Sequence, residues 1–177
     1  MKTAFLVIGH EPGGGARGER TWNIKVADSL KCKLKCLGID SIIYEHKTKA
    51  YHKRCLEMRN CAKIHNPDCV LLMHYNSFSD SSANGHEFHY RSFPHFAKAI
   101  RDEWQERYPW SRPRQDNGIL KNVSGRGSSM IRLAPAPACL TEPFFESNSK
   151  ERSILIDDFY GVADVYAKGI FNFLKDR

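Results

Sequence analysis

Short apolar runs alternate with longer stretches of helical periodicity along this 177-residue chain. The apolar runs predict strands at 4–8, 41–44, 69–74, 85–90 and 138–142. Apolar residues spaced three and four positions apart predict helices at 21–37, 51–65, 94–108 and 150–177. Strands that alternate with helices are typical of the α/β class. We therefore expect a mixed, mostly parallel sheet with helices on both faces.

Two long polar segments separate these predicted elements. Residues 11–20 are rich in glycine, and residues 109–127 combine Pro, Arg, Gly and Asn around the short apolar pair Ile119-Leu120. Long loops in compact domains usually serve function, so both segments are candidates for a site. No internal repeat or change of composition divides the chain, and we predict one domain over residues 1–177.

The composition narrows the class of protein. Hydrophobic residues make up 41% and charged residues 27% of the chain, which is ordinary for a globular protein and argues against disorder. No apolar run approaches the length of a membrane span, so no stable membrane insertion is expected. The first apolar run lacks a small-residue cleavage site and is interpreted as a strand, not as a signal peptide.

The net charge indicates which partners the protein can bind, and the cysteine pattern indicates the cellular compartment in which it is made. The net charge is +7, from 27 Lys and Arg against 20 Asp and Glu, which favours polyanionic partners. The basic residues are scattered, so a nucleic-acid-binding stripe is not indicated and no nucleic-acid partner is expected. The six cysteines form no Cys-x-x-Cys pair, which agrees with synthesis in a reducing cytoplasm.

Ionisable side chains stand at the ends of several apolar runs. His10, His74 and Glu142 each end a predicted strand, and Glu19 closes the glycine-rich loop. In α/β sheets functional side chains collect beyond the C-terminal ends of the strands. Two histidines and one glutamate are a common catalytic zinc set, and a further glutamate can act as a general base. The spacing alone leaves open that these residues are hydrogen-bonded spectators.

The other motifs in the sequence carry less information about function. The glycine-rich loop continues as Gly18-Glu19-Arg20, where a nucleotide-binding P-loop needs Gly-Lys-Ser or Gly-Lys-Thr, so nucleotide binding is a minor interpretation. We predict surface or hydrogen-bonding roles for the remaining histidines, which are His46, His52, His65, His86, His89 and His95. A group of aromatic residues could line a glycan groove or pack in the core, and we predict packing; they are Tyr75, Phe78, Tyr108 and Trp110.

Several segments, in order, resemble the zinc-dependent N-acetylmuramoyl-L-alanine amidases of peptidoglycan turnover and phage lysis. They are Gly9-His10, Glu19 with Asn23, Leu56-Glu57-Met58-Arg59, Leu72-Met73-His74-Tyr75-Asn76, Gly85-His86-Glu87 and the closing segment 137–148. The resemblance implies that His10, Glu19 and His74 bind one Zn²⁺ per chain and that Glu142 is the catalytic carboxylate. It also suggests a cation from the 112–132 segment near the developing oxyanion, and the candidates, which the sequence does not rank, are Arg114, Arg126 and Arg132. An arginine of this segment could equally bind a carboxylate of the stem peptide.

The sequence departs from the family's pattern near two of these residues. Glu11 and Pro12 stand where the family usually has glycines after the first histidine, and Pro143 replaces the usual glycine after Glu142. The loop from His10 to Glu19 is also shorter than in most members. Glu11 is therefore a rival to Glu19 as the metal-binding carboxylate.

The resemblance implies hydrolysis of the amide between N-acetylmuramic acid and L-alanine in peptidoglycan. We expect a compact phage-type lysin without a separate wall-binding domain. It would be a monomer made in the cytoplasm without a signal peptide, and it would act on the wall after release. Two alternatives stay open: a zinc hydrolase of another N-acyl amino acid amide, and a non-catalytic wall-binding module. Fold alone does not decide between them.

Overall fold

A computed structural model of the chain describes residues 1–125, 127–175 and 177. Its strands are β1 (Lys2–Ile8), β2 (Ile39–Tyr44), β3 (Cys69–Met73), β4 (Glu87–Tyr90), β5 (Ile119–Lys121) and β6 (Ala138–Glu142). Its helices are α1 (Glu19–Cys36), α2 (Tyr51–His65), α3 (Pro94–Arg107), α4 (Ser128–Leu133), α5 (Ser149–Leu155) and α6 (Phe159–Leu174). A short 3₁₀ turn at Gln115–Gly118 precedes β5.

The strands form one six-stranded sheet in the order β2-β1-β3-β6-β4-β5. The pairs from β2 to β6 are parallel, whereas β4 runs antiparallel to β6. The fold class predicted from the sequence, a mixed and mostly parallel sheet with helices on both faces, is therefore confirmed. The prediction that the chain holds one domain and no wall-binding domain stays a prediction.

The two faces of the sheet bury separate apolar layers. Successive side chains of a strand point to opposite faces, and in β1 residues Leu6 and Ile8 join one layer while Phe5 and Val7 join the other. Helix α6 packs against α1 and α3 over the first layer, and α2 packs with α4 over the second. A strand buried on both faces has to be apolar throughout, which is the pattern that the central runs show.

Apart from shifts of one or two residues at strand ends, the elements differ from the sequence predictions in three places. Helix α1 begins at Glu19 and not at residue 21, so Glu19 is its first residue. The apolar pair in the long loop is part of a strand, β5, and the short helix α4 follows it. The predicted closing helix is two helices, α5 and α6, separated at residues 156–158. No helix among the described residues has the length and apolarity to cross a membrane.

Candidate metal centre and active site

Three predicted ligands meet at the carboxyl edge of the central strands. His74 directly follows β3, and His10 lies two residues after β1, its parallel neighbour, in which Ile8 pairs with Met73. The Gly9 N–H donates to the Met73 carbonyl at 2.9 Å, and this hydrogen bond holds the carboxyl ends of β1 and β3 side by side. Glu19 enters from the start of α1. Donor atoms of His10, Glu19 and His74 all lie within 4.8 Å of one another.

The distances among the donor atoms suit a tetrahedral metal ion. Nε2 of His10 lies 3.4 Å from Oε2 of Glu19, and Nδ1 of His74 lies 3.0 Å from Oε1 of Glu19. Zinc bound by nitrogen and oxygen at about 2.0–2.1 Å places neighbouring donors about 3.4 Å apart. Two imidazoles and one carboxylate are also a donor set that zinc prefers. The residues present therefore fit a zinc ion.

Glycine-rich loop 11–18 wraps closely around this cluster. A Cβ atom on Gly15 would lie 2.7 Å from the His10 ring and 2.8 Å from Oε2 of Glu19, and the φ angle of Gly15 is +84°. The Ala16 N–H donates to the same Glu19 oxygen at 2.9 Å. His10 itself has a φ of +64°, a left-handed backbone conformation that residues other than glycine rarely adopt. The loop needs glycine at position 15 because its backbone passes against the ligands.

Glu19 is held in its ionised form although it is buried. Its side chain is 2% exposed, and the Tyr75 N–H donates to Oε1 at 3.3 Å. Burial would raise the pKa of the carboxyl, but the hydrogen bond with His74 and the charges of His74 and His10 outweigh it and hold the pKa below its usual value. An ionised carboxylate facing two imidazoles is the state in which this cluster can bind a metal.

Glu11, the rival carboxylate, is engaged elsewhere. Its carboxylate forms an ion pair with the Arg54 guanidinium on α2, and the two side chains are only 16% and 11% exposed. Among the described residues, the group that could hold a metal ion contains Glu19 and not Glu11. This ion pair could not be predicted from the sequence, because the partners lie far apart along the chain and an ion pair leaves no periodic signal.

Glu142 ends β6 at the same edge of the sheet. The His74 N–H donates to the Thr141 carbonyl at 3.1 Å, which places Glu142 beside the strand that carries His74. On its other side Glu142 pairs in register with Glu87 of β4. This position agrees with the role that the resemblance implies. The assignment of Glu142 as the catalytic residue stays a prediction.

Glu87 is the centre of a polar network that the sequence did not predict. Its carboxylate lies 2.5 Å from Nε of Arg114, 3.3 Å from Nε2 of His89 and 3.4 Å from Nδ2 of Asn76. Burial would raise the pKa of Glu87, but His89 and Arg114 outweigh it and lower the pKa. The only signal in the sequence was the Gly-His-Glu match, which carried no role. The network connects the residues after β3 to β4 and to the long loop.

The arginines that were candidates for a cation near the developing oxyanion have different environments. The guanidinium of Arg114 is paired with Glu87 and lies over the Phe145 ring, 4.9 Å from its centroid. Arg132 is exposed in the last turn of α4. Arg126 lies outside the described residues.

The remaining histidines mostly behave as predicted. His52, His65 and His95 are exposed, and His89 contacts Glu87. His86 is buried with its Nδ1 2.9 Å from the Ser111 hydroxyl.

His46 is the exception, because it is buried beyond β2 against the ring of Tyr44. Burial, followed by the charges of His74, His10 and Arg20, lowers the pKa of His46 to about 4.

Packing roles are confirmed for only part of the aromatic group. Tyr75 and Tyr108 are buried. Phe78 is 60% and Trp110 41% exposed, so the prediction of a packing role is wrong for these two. Both follow strand or helix ends where the chain turns towards solvent, and apolarity alone does not indicate such a position.

Comparison with known proteins identifies the family. The family model described as N-acetylmuramoyl-L-alanine amidase matches residues 5–172, and the chain belongs to this family. It is therefore an enzyme, an amidase that acts on peptidoglycan. Among curated proteins, none matches the sequence.

Several solved structures of amidases and of an endolysin share this fold. The catalytic domain of CwlV, an N-acetylmuramoyl-L-alanine amidase from Bacillus (Paenibacillus) polymyxa var. colistinus, is 26% identical, with a TM-score of 0.81 and 100% of both chains covered. The CwlD amidase of Clostridioides difficile, solved in complex with the GerS lipoprotein, is 20% identical, with a TM-score of 0.81 and 100% of both chains covered. The catalytic domain of the CD27L endolysin, which targets Clostridia difficile, is 17% identical, with a TM-score of 0.79, and 97% of this chain and 98% of that chain are covered.

Proposed function

We propose that this amidase is a zinc enzyme that hydrolyses the amide bond between N-acetylmuramic acid and L-alanine. The observation that carries the proposal is the convergence of His10, Glu19 and His74, with donor atoms within 4.8 Å, at the carboxyl edge of the sheet. A zinc ion held by these three side chains would keep one coordination position open, as catalytic zinc sites do. A monomer with one zinc per chain is the simplest form of this enzyme.

The reaction assigns a separate task to each group. Zinc, when bound, supplies a Lewis acid that polarises the scissile carbonyl and lowers the pKa of a water molecule towards neutrality. Glu142 accepts a proton from the attacking water and delivers it to the L-alanine nitrogen as the amide C–N bond breaks. The water oxygen remains on the lactyl carbonyl carbon. The products are therefore the muramic acid carboxylate and a peptide with a free L-alanine amine.

The biological setting that we propose is a phage-type lysin that is made in the cytoplasm and acts on the wall after release. Two observations support it. The net charge of +7 favours adsorption to an anionic envelope. The fold is also that of the CD27L endolysin catalytic domain. Addition of the purified protein to intact and to envelope-permeabilised cells tests this setting, since a lysin should cause lysis once it reaches the wall.

Digestion of purified peptidoglycan by the zinc-loaded protein tests the reaction. New alanine amines should appear without new reducing sugar ends. The Glu142→Ala variant should keep about one zinc per chain and lose the activity, because a general base is not a ligand. His74→Ala should lose zinc and activity together. Glu106→Gln, which changes an exposed carboxylate on α3, is the matched control.

Two outcomes contradict the proposal. Loss of zinc in Glu142→Ala would show that the assigned roles are wrong. Zinc binding without release of amines from peptidoglycan would favour hydrolysis of another N-acyl amino acid amide.

A further inference from the structure

A polar pocket of about 480 Å³ lies outside the metal cluster, where the long loop meets the start of β4. Its lining contains two guanidinium groups and no carboxylate. The lining residues are Ser82, Ala83, Asn84, Arg112, Pro113, Arg114 and Gln115. A concave surface with convergent cationic donors and no acid in its lining favours an anionic ligand.

The backbone holds both arginines in place. The His86 N–H donates to the Arg112 carbonyl at 3.0 Å, and the Arg114 N–H donates to the His86 carbonyl at 3.2 Å. Gly85 permits this close approach, because a Cβ atom there would lie 2.3 Å from the Arg112 carbonyl oxygen and 3.2 Å from Cγ of Arg114. The segment is therefore fixed against the sheet at the residue before Glu87.

The pocket adjoins the candidate catalytic edge through a short chain of contacts. Arg114 contacts Glu87, and Glu87 faces Glu142 in the antiparallel register of β4 and β6. Glu87 also contacts Asn76, two residues beyond His74. A substrate whose scissile bond lies at Glu142 and His74 can thus extend along this edge into the pocket.

The two arginines differ in how far their charge is compensated. Arg114 is paired with Glu87, donates to the Asn84 carbonyl at 3.3 Å and lies over the Phe145 ring. Arg112 is exposed, and no described carboxylate forms an ion pair with it. Arg112 is therefore the cation that is available to a ligand, and Arg114 shapes the wall beside it.

We propose that this pocket is a subsite that binds a carboxylate of the stem peptide on the amine side of the scissile bond. The inference rests on the proposed function. A peptide attached through its L-alanine nitrogen always carries a carboxylate further along, whereas the glycan on the other side offers mainly hydroxyls. The planar fork of Arg112 matches the two oxygens of a carboxylate.

Two synthetic muramoyl peptides test the proposal. They have the same sequence, and the stem carboxylates of one are free while those of the other are all converted to carboxamides. For the parent enzyme we expect KM to be about tenfold lower for the free acid, the effect of one charged hydrogen-bonded contact. Arg112→Gln should raise KM for the free acid about tenfold and leave the values for the amide unchanged, and Arg112→Lys should fall in between.

Arg177→Gln, which removes an exposed guanidinium beyond α6, is the matched control and should behave as the parent on both substrates. Equal KM values for acid and amide in the parent would overturn the subsite alone. An equal effect of Arg112→Gln on both substrates would also overturn it, because that is the result of a structural role. Failure of the zinc-loaded parent to cleave either substrate would overturn the proposed function together with the subsite.

Discussion

At the scale of single residues, the ion pair between Glu11 and Arg54 explains how the chain tolerates a carboxylate beside His10, a candidate metal ligand. Glu11 directly follows His10, whose backbone is left-handed with a φ of +64°. The guanidinium of Arg54 draws the Glu11 side chain towards α2, away from Glu19. The pair thereby fixes the loop that orients the His10 ring. We interpret Arg54 as a positioning residue.

Removal of Arg54 should therefore weaken both the fold and metal binding. We expect Arg54→Met to lower the free energy of unfolding by about 3 kcal/mol, because it leaves a largely buried carboxylate without its partner. Zinc affinity should fall as well, since the loop that orients the His10 ring is less fixed. Urea unfolding of the metal-free protein and competition with a chelator measure the two effects separately.

The double variant Glu11→Leu/Arg54→Met serves as the control. It should recover part of the lost stability, because no unpaired charge remains. If the changes in unfolding free energy of the single variants Glu11→Leu and Arg54→Met simply add in the double variant, the two residues are not a coupled pair.

His86 should make the stability depend on pH. Burial, followed by the charge of Arg101, lowers the pKa of His86 to about 4 from 6.5. The unfolded chain then binds a proton at a pH where the folded protein does not, so stability is complete above about pH 6.5 and falls as the pH falls towards 4. His86 accounts for up to about 3 kcal/mol of this fall.

Unfolding titrations at several pH values check the prediction. His86→Met should show a shallower fall of stability between pH 6.5 and 4 than the parent, whatever its stability at neutral pH. Part of the slope should remain, because burial also lowers the pKa of His46 to about 4. An unchanged slope in His86→Met would contradict the assignment. His95→Gln, which changes an exposed imidazole, is the control variant and should show the same slope as the parent.

At the scale of elements, the loop between β1 and α1 is built for the metal cluster. Gly13 and Gly15 both have positive φ angles, +79° and +84°, so an alanine is strained at either position. They differ in what a Cβ would contact. Nothing lies within 4 Å at Gly13, whereas the His10 ring and the Glu19 carboxylate lie within 2.8 Å at Gly15.

Alanine at these two positions separates strain from a clash with the ligands. Gly15→Ala should lower zinc affinity by about tenfold or more, the scale of a disturbed supporting contact at a metal site. Gly13→Ala should cost similar backbone strain and keep most of the affinity. Isothermal titration with zinc, beside thermal unfolding of both metal-free variants, makes the comparison. Equal affinities for the two variants would show that the loop does not shape the site.

The elements themselves were predicted to different degrees. Long apolar runs and helical periodicity located β1, β3 and α2, because burial on fixed faces imposes those patterns. The six residues of α4 are too few for a periodic signal. The antiparallel pairing of β4 with β6 depends on contacts between distant segments and not on local sequence. The break before α6 has a local signal, since Asp158 caps that helix by accepting from the Gly161 N–H.

Helix α2 was located by its periodicity, but its buried face was not predicted. Its buried apolar residues are Cys55, Met58 and Ala62. Leu56 is 36% exposed. The positions of His10, Glu19 and His74 at strand and loop ends, together with the resemblance, predicted that these three residues meet, and their role as metal ligands stays a prediction. The Glu11–Arg54 and Glu87–Arg114 ion pairs were not predicted, because residues of opposite charge are too common in a sequence for one pair to be singled out.

At the scale of the whole molecule, the candidate ligands join segments that are far apart in the chain. His10 and His74 end two neighbouring strands, and Glu19 begins the helix that packs over one face of the sheet. An ion bound by all three links these segments only in the folded state. Since it binds the native state and not the unfolded chain, its binding free energy adds to the stability of the fold.

Zinc should therefore raise the melting temperature in a concentration-dependent manner. Free zinc at a hundred times its Kd stabilises the native state by about 2.7 kcal/mol. For a domain of this size that is a rise of roughly 5–10 °C in Tm. Thermal unfolding with increasing zinc, and again after chelation, measures the shift. Glu142→Ala should keep it and His74→Ala should lose it, because His74 is a candidate ligand and Glu142 is not. A shift that survives His74→Ala would place the stabilising ion elsewhere on the molecule.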